Sequence, residues 1–133
     1  MDEAFAAIVN AKSEPISAFF DMHVIELKMG YARLSLRIKP EYLNFQGVAF
    51  GGVIMSLADQ AFGYAVNTLS YPSVASQFNI YFLSTARTDD NLTAEGTVIR
   101  CGRRVSVAEV SVTNQDGKLI ARASGSTIAV EAE

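Results

Sequence analysis

Between Gly51 and Leu69 the chain reads GGVIMSLADQAFGYAVNTL without a proline, and no other stretch limits the possible folds so strongly. Val53, Ile54, Met55, Leu57, Ala58, Ala61, Phe62, Tyr64, Ala65, Val66 and Leu69 leave no broad polar side on a helix. A helix that is apolar all round belongs in an interior, so the remaining chain must be wrapped around this one. One formal charge interrupts it, Asp59. Aspartate is rarely buried without a partner or a task, and its helical neighbours Met55, Ser56, Phe62 and Gly63 cannot neutralise it. A buried Asp59 is a carboxylate prepared for chemistry, by desolvation or by hydrogen bonds to the anion. An Asp59 at the helix edge is a solvated surface charge, and the pattern admits both.

Length and composition narrow the setting. At 133 residues the chain fits one domain over 1–133, with an N-terminal helical segment over 1–21 and a solvated tail over 131–133. Half of the residues are hydrophobic and mean hydropathy is +0.20, which predicts apolar surface hidden between subunits and hence a homo-oligomer. The net charge of −3 and the scattering of eleven Lys and Arg lack the basic footprint of a nucleic-acid binder. They leave room for a small anionic substrate held by a local cluster. A single cysteine, Cys101, forms no internal disulfide and suits a reducing compartment. The start MDEAF is acidic where a secretory signal is basic, and no apolar run reaches membrane-spanning length. A cytoplasmic protein with no membrane partner is expected.

Asp2 to Ala11 carries Phe5, Ile8 and Val9 at helical spacing, and Pro15 can open a short second helix. Met22 to Met29 reads as a strand that Gly30 breaks. From Tyr31 to Lys39, Ala32, Leu34, Leu36 and Ile38 alternate with Arg33, Ser35, Arg37 and Lys39, the pattern of a half-buried antiparallel strand. Val74 to Leu83 has period two with apolar residues on both sides, which predicts a strand that is central or at an interface. Leu92 to Arg100 is a strand interrupted by Gly96, and Val105 to Thr113 is a valine-rich one. Asn114-Gln115-Asp116-Gly117 is a hairpin turn leading into a last strand, Leu119 to Val130. The sum is an α+β fold: an antiparallel sheet of about six strands wrapped on one face around a long central helix.

This order, together with the segment Asn44-x-x-Gly47-x-x-Phe50-Gly51-Gly52-x-x-x-x-Leu57-Ala58-Asp59, resembles the hotdog-fold acyl-CoA thioesterases of the phenylacetic-acid-degradation (PaaI-type) subfamily. The similarity runs from about Met22 to Val130 and includes VASQFNIYFLSTA at Val74 to Ala86 and the Gly-Arg turn at Gly102-Arg103. It implies hydrolysis of an acyl- or aryl-acyl-CoA thioester, with Asp59 as general base or nucleophile, the Gly51 N–H polarising the carbonyl and Asn44 orienting substrate or water. It also implies substrate contacts at Phe50, Gly52 and Ser76, and at Gly102, Arg103 and Arg104 beside the coenzyme A phosphates, where a guanidinium fork suits a phosphate. No cofactor is implied beyond the coenzyme A of the substrate.

Two positions depart from the family pattern. The histidine usual before the two glycines is Phe50, and a serine usual early in the following strand is Ala75, with Ser76 next to it pointing to the opposite face. The Gly51 role has physical support of its own, because the first N–H groups of a helix have no partner and receive developing negative charge. Eight residues from Gly51 to Asp59 amount to about 12 Å along one helix, too far for both to touch one thioester. That agrees with the family's sites shared between the two subunits of a homodimer, and with pairing of such dimers into a homotetramer.

Blander readings stand beside these. Asn44 is favoured in turns without any chemistry, Arg103 and Arg104 suit a solvated hairpin tip, and Phe62 and Tyr64 suit packing. Phe50 serves an interface as well as a substrate. His23, the only histidine, lies outside the loop and helix, which disfavours the histidine-carboxylate dehydratases of the same fold and leaves Cys101 without a base in sequence. No Cys/His cluster has metal-ligand spacing, and no phosphate-cradling glycine loop occurs. The alternative function is a non-catalytic acyl-CoA-binding or sensor protein, suggested by Phe50.

Overall fold

Period-two alternation sets the sheet of the computed structural model, which describes residues 1–12 and 14–131. Its elements are α1 (Glu3–Ala11), α2 (Pro15–Phe20), β1 (His23–Lys28), β2 (Tyr31–Arg37), α3 (Gly51–Asn67), β3 (Ser73–Phe82), β4 (Asn91–Cys101), β5 (Val105–Thr113) and β6 (Leu119–Ala129). Of the predicted tail, Glu131 is exposed and residues 132 and 133 lie outside the described residues. The strands form one antiparallel six-stranded sheet in the order β1-β2-β4-β5-β6-β3.

One face of this sheet closes on α3, as the hotdog arrangement requires. Ala32, Leu34 and Leu36 of β2, Leu92 and Ala94 of β4, Ala108, Val110 and Val112 of β5 and Ala121 and Ala123 of β6 are all buried. They meet Leu57, Ala58, Ala61, Phe62 and Ala65, each without exposed surface. Burying a side chain the size of Leu57 or Phe62 contributes about 1.5–3 kcal/mol, so this layer supplies much of the driving force for folding.

Gly96 does not interrupt β4; the strand runs through it, paired with Ala32 on one side and Val110 on the other. Its role is clearance. A Cβ there would stand 2.5 Å from the carbonyl oxygen of Ala61, so the glycine lets the backbone of α3 settle directly on the middle of the sheet. Across the sheet, Gly125 makes room in the same way for Phe62 and Phe78, whose rings pack 5.0 Å apart.

The two sheet edges differ. β1 is short, carries His23, Glu26 and Lys28, and has a register shift between Val24 and Glu26, all features that discourage a further strand from pairing. β3 is ten residues long, has no charged residue and, among the described residues, pairs only with β6. Of the two placements the sequence pattern allowed for β3, central or at an interface, the central one is excluded, because the strand is an edge. Val74, Tyr81, Phe82 and the following Leu83 are 50%, 71%, 50% and 55% exposed.

Candidate active site

The N-terminus of α3 is positioned by a five-residue turn. The Asn44 side-chain oxygen accepts from the N–H of Gln46 (2.9 Å) and of Val48 (3.4 Å), while the Asn44 N–H donates to Val48 O (2.8 Å) and Gly47 N–H to Asn44 O (3.0 Å). Gly47 takes φ +78°, a left-handed conformation that glycine adopts without steric cost. The same bonds recur at Asn114-x-x-Gly117-Lys118, where the Asn114 side-chain oxygen accepts from Asp116 and Lys118 and Gly117 again has φ +78°. The oxygen of Asn44 is therefore occupied by the turn, and only its amide nitrogen lacks a partner among the described residues.

From this turn Ala49 N–H donates to Ala86 O and Phe50 N–H to Tyr42 O, both at 2.8 Å, fixing the point at which the chain turns into α3. Phe50 occupies the capping position in extended conformation, and its side chain caps nothing. Val53 N–H finds Phe50 O at 2.9 Å. The amides of Gly51 and Gly52, with neither an intrahelical acceptor nor a cap among the described residues, are available to an outside one.

Asp59 lies on the side of α3 that the sheet does not cover, with Gly52, Met55, Ser56 and Gly63. Its carboxylate is exposed in the single chain and has no hydrogen-bond or ion-pair partner among the described residues. Packing around it is still enough to push its carboxyl above the ordinary value of 3.8 by desolvation. Further cover would raise it more, since burial disfavours the charged form. Ser56 is not free to help, because its hydroxyl donates to Gly52 O at 2.7 Å.

One chain does not gather the candidate residues. Gly51 and Gly52 open α3, whereas Gly102, Arg103 and Arg104 form the exposed β4–β5 tip at the other end of the sheet. Arg104 O there accepts from Ala129 N–H at 2.7 Å, near the chain that leaves the C-terminus of α3. Gly102 is accounted for by that hairpin, since a Cβ would stand 2.4 Å from Val105 O. Ser76 sits at the register shift between Ala75 and Gln77 on the open edge, and both Ala75 and Ser76 are exposed. His23 is exposed beside Asp21. Phe62 is core, and Tyr64 packs against Phe5 with its hydroxyl donating to Glu14.

One neighbour of the glycines, Phe82, was not singled out from sequence, although it falls on the same face of β3 as Phe78 and Ile80. Among the described residues no three His, Cys, Asp or Glu side chains stand together as a metal would need, and no helix is long and apolar enough to cross a membrane.

Known proteins match this chain in sequence and in fold. The sequence model of the thioesterase superfamily matches residues 46–121, a span that includes Gly51 and Asp59 and begins after Asn44. The acyl-coenzyme A thioesterase PaaI of Escherichia coli is 34% identical over 98 residues, which cover 74% of this chain and 70% of that protein. The structure of the E. coli PaaI protein from the phenylacetic acid degradation operon superposes with a TM-score of 0.90 at 28% identity, covering 95% of this chain and 91% of that one. A hypothetical thioesterase protein from Streptococcus pneumoniae, solved with coenzyme A, superposes with a TM-score of 0.85 at 28% identity over 95% of this chain and 98% of that one.

Proposed function

The chain belongs to the thioesterase superfamily, as a thioester hydrolase of PaaI type with the hotdog fold, and from that premise we propose that it hydrolyses an acyl- or aryl-acyl-CoA thioester in a site built from two copies of itself. The observation that carries the reading is the uncovered side of α3. It holds the helix's one carboxylate, without a partner among the described residues and raised above its ordinary value by desolvation, and it adjoins an apolar strand edge that no described strand covers.

A second chain pairing along β3 extends the sheet, hides Val74 and Tyr81, and covers the open side of α3. Related by a twofold axis, the two copies of α3 run in opposite directions, so the Asp59 of one approaches the Gly51 of the other. The span of about 12 Å that separates the two residues within one helix then ceases to matter. Such a dimer also brings the Arg103-Arg104 tip of one copy toward the Gly51 end of the other, where two guanidinium groups suit the phosphates of coenzyme A. Pairs of these dimers make the homotetramer that the family resemblance implies.

In this site the thioester carbonyl oxygen accepts from the Gly51 N–H, and the positive end of α3 stabilises the charge that grows on it. Asp59 takes a proton from the attacking water as the oxygen–carbon bond forms, or attacks the carbonyl carbon itself and is freed by water. In either case the carbon–sulfur bond breaks and the thiolate leaves, to be protonated as free coenzyme A. Phe50 lies against the apolar part of the substrate, Gly52 makes room for the Phe50 ring to do so, and the amide of Asn44 reaches toward the same carbonyl. Gly102 keeps the arginine tip tight, and Ser76 faces the substrate channel from the partnered edge.

Release of thiol from an acyl-CoA panel tests the reading. Asp59→Asn should lower kcat by about 10²–10⁴, the usual worth of a general base, with the dimer intact. Unchanged turnover on a good substrate contradicts the role of Asp59.

A further inference from the structure

Gly51 and Gly52 each have an aromatic ring where another residue would have its own side chain. A Cβ on Gly51 would stand 3.2 Å from Cζ of Phe82, and one on Gly52 would stand 2.6 Å from Cε2 of Phe50. Two rings from separate parts of the chain therefore close on the one helical turn whose amides are free. Phe50 arrives with the loop that enters α3. Phe82 arrives from the end of β3, on the strand face that also presents Phe78 to Phe62.

Neither ring is finished by this contact. Phe82 is 50% exposed and Phe50 57%, so each meets its glycine with one edge of the ring and leaves the rest open. Across the sheet, Phe82 pairs with Ala121, a small residue that leaves the ring free to lean on α3. Leaving half of a large ring in water forfeits much of its hydrophobic gain, which is recovered when an apolar group covers the open side.

A thioester oxygen bonded to the Gly51 N–H lies about 2.9 Å from that nitrogen. The carbonyl carbon and its first substituents then fall within van der Waals reach of a ring seated on the Gly51 Cα. Of the two substituents, the acyl group is apolar and the coenzyme A arm is polar, so the ring's open side selects the acyl group.

We infer that Phe82 is a specificity-determining residue: its open side is the wall of the acyl pocket beside the first carbons of the acyl group, and it limits how much branching the carbon next to the carbonyl can carry. Gly51 is glycine for the same reason, since the ring that forms the wall takes the space of its side chain. The inference rests on the proposed use of the Gly51 amide, and it adds a residue and a selectivity to it.

The test compares wild type, Phe82→Ala and Phe82→Leu on butanoyl-CoA and on 2-methylpropanoyl- and 2,2-dimethylpropanoyl-CoA, which add branches at the carbon next to the carbonyl. Turnover is read as kcat/KM. Binding to the same three proteins in an Asp59→Asn background is read by calorimetry, which needs no catalysis. The 2,2-dimethylpropanoyl-to-butanoyl ratio should rise by about tenfold or more in Phe82→Ala, in line with the discrimination a hydrophobic pocket achieves for small changes in volume, and by less in Phe82→Leu. Ratios that stay at the wild-type value in folded variants overturn the inference, whether or not overall activity falls. Absence of turnover with a shifted binding ratio would contradict the hydrolytic reading and leave Phe82 as the wall. If Phe82→Ala does not fold, Phe82→Leu decides, and failure of both to fold makes the ring a structural part and overturns its role in selection.

Discussion

The side of α3 that meets the sheet and the side that does not are made of similar small and apolar residues, but they are completed differently. On the covered side Leu57, Ala58, Ala61, Phe62 and Ala65 have no exposed surface, and the sheet comes so near that position 96 must be glycine. On the other side Met55 is 43% exposed, Asp59 is exposed, and a Cβ on Gly63 would meet nothing within 4 Å. A glycine inside a helix costs roughly 0.5–1 kcal/mol relative to alanine, and within this chain nothing requires it at Gly63. Gly96 shows what a glycine is for when two backbones approach. Gly63 has the same character with its partner missing, and the helix's one charge stands one turn away from it.

The largest effect that would sharpen this contrast is on rate. Proline is well tolerated at the first position of a helix, and Phe50 is already in the extended conformation that precedes proline readily. Gly51→Pro should therefore keep α3 while deleting the N–H assigned to the carbonyl oxygen. The expected loss is about 10²–10³ in kcat, with α3 retained by circular dichroism and a lowered melting temperature, because a Cβ at position 51 stands 3.2 Å from Cζ of Phe82 and that ring must shift. A variant that is fully active would remove the amide from the account.

A paired substitution comes next. Gly96→Ala should destabilise the fold by about 1–3 kcal/mol in denaturant titration, the usual cost of overpacking, because backbone rather than a mobile side chain stands in the way. Gly63→Ala should instead favour the helix of the separated chain and weaken association of the dimer, read by sedimentation at several concentrations. If Gly63→Ala stabilises the protein and leaves association unchanged, the open side of α3 is simply a surface, and the contrast fails.

The smallest effect is electrostatic. Burial raises the Asp59 carboxyl above 3.8, so the folded chain holds the proton more tightly than the unfolded chain does. The resulting stabilisation is complete below the ordinary carboxylate value and is lost as pH rises through the raised one. Asp59→Asn should therefore melt slightly higher than wild type at neutral pH and coincide with it below about pH 3.8. The catalytic acid limb should be displaced upward from the ordinary carboxylate value in the same direction. Identical melting at every pH would show that Asp59 is solvated in both states.

Much of this was legible in the residues. The alternation of β2, the proline-free apolar run of α3 and the Asn-x-x-Gly hairpin each have one local solution, and the fold follows from them. What periodicity could not supply was the identity of the group that covers an apolar side. Met55 and Gly63 look buried in sequence whether their cover is a sheet or a second copy, so a helix apolar all round has an open side in the single chain. Gly96 reads as a break because a lone glycine weakens a strand, and only the closeness of Ala61 explains it. Asn44 and Asn114 make the same turn from the same residue pattern, so neither the motif nor the turn separates a site asparagine from a structural one. Phe82 escaped notice because its importance comes from contact with Gly51, 31 positions earlier in the chain.

Mixed dimers of Asp59→Asn and Gly51→Pro chains, purified with two different affinity tags, test the shared site most directly. Each variant alone should be inactive. The mixed dimer contains one site with an intact Asp59 from one chain and an intact Gly51 from the other, and it should recover about half of the wild-type activity per dimer, as twofold symmetry requires. Mixed dimers as inactive as their parents would show that both residues of a site come from the same chain, and would contradict the account.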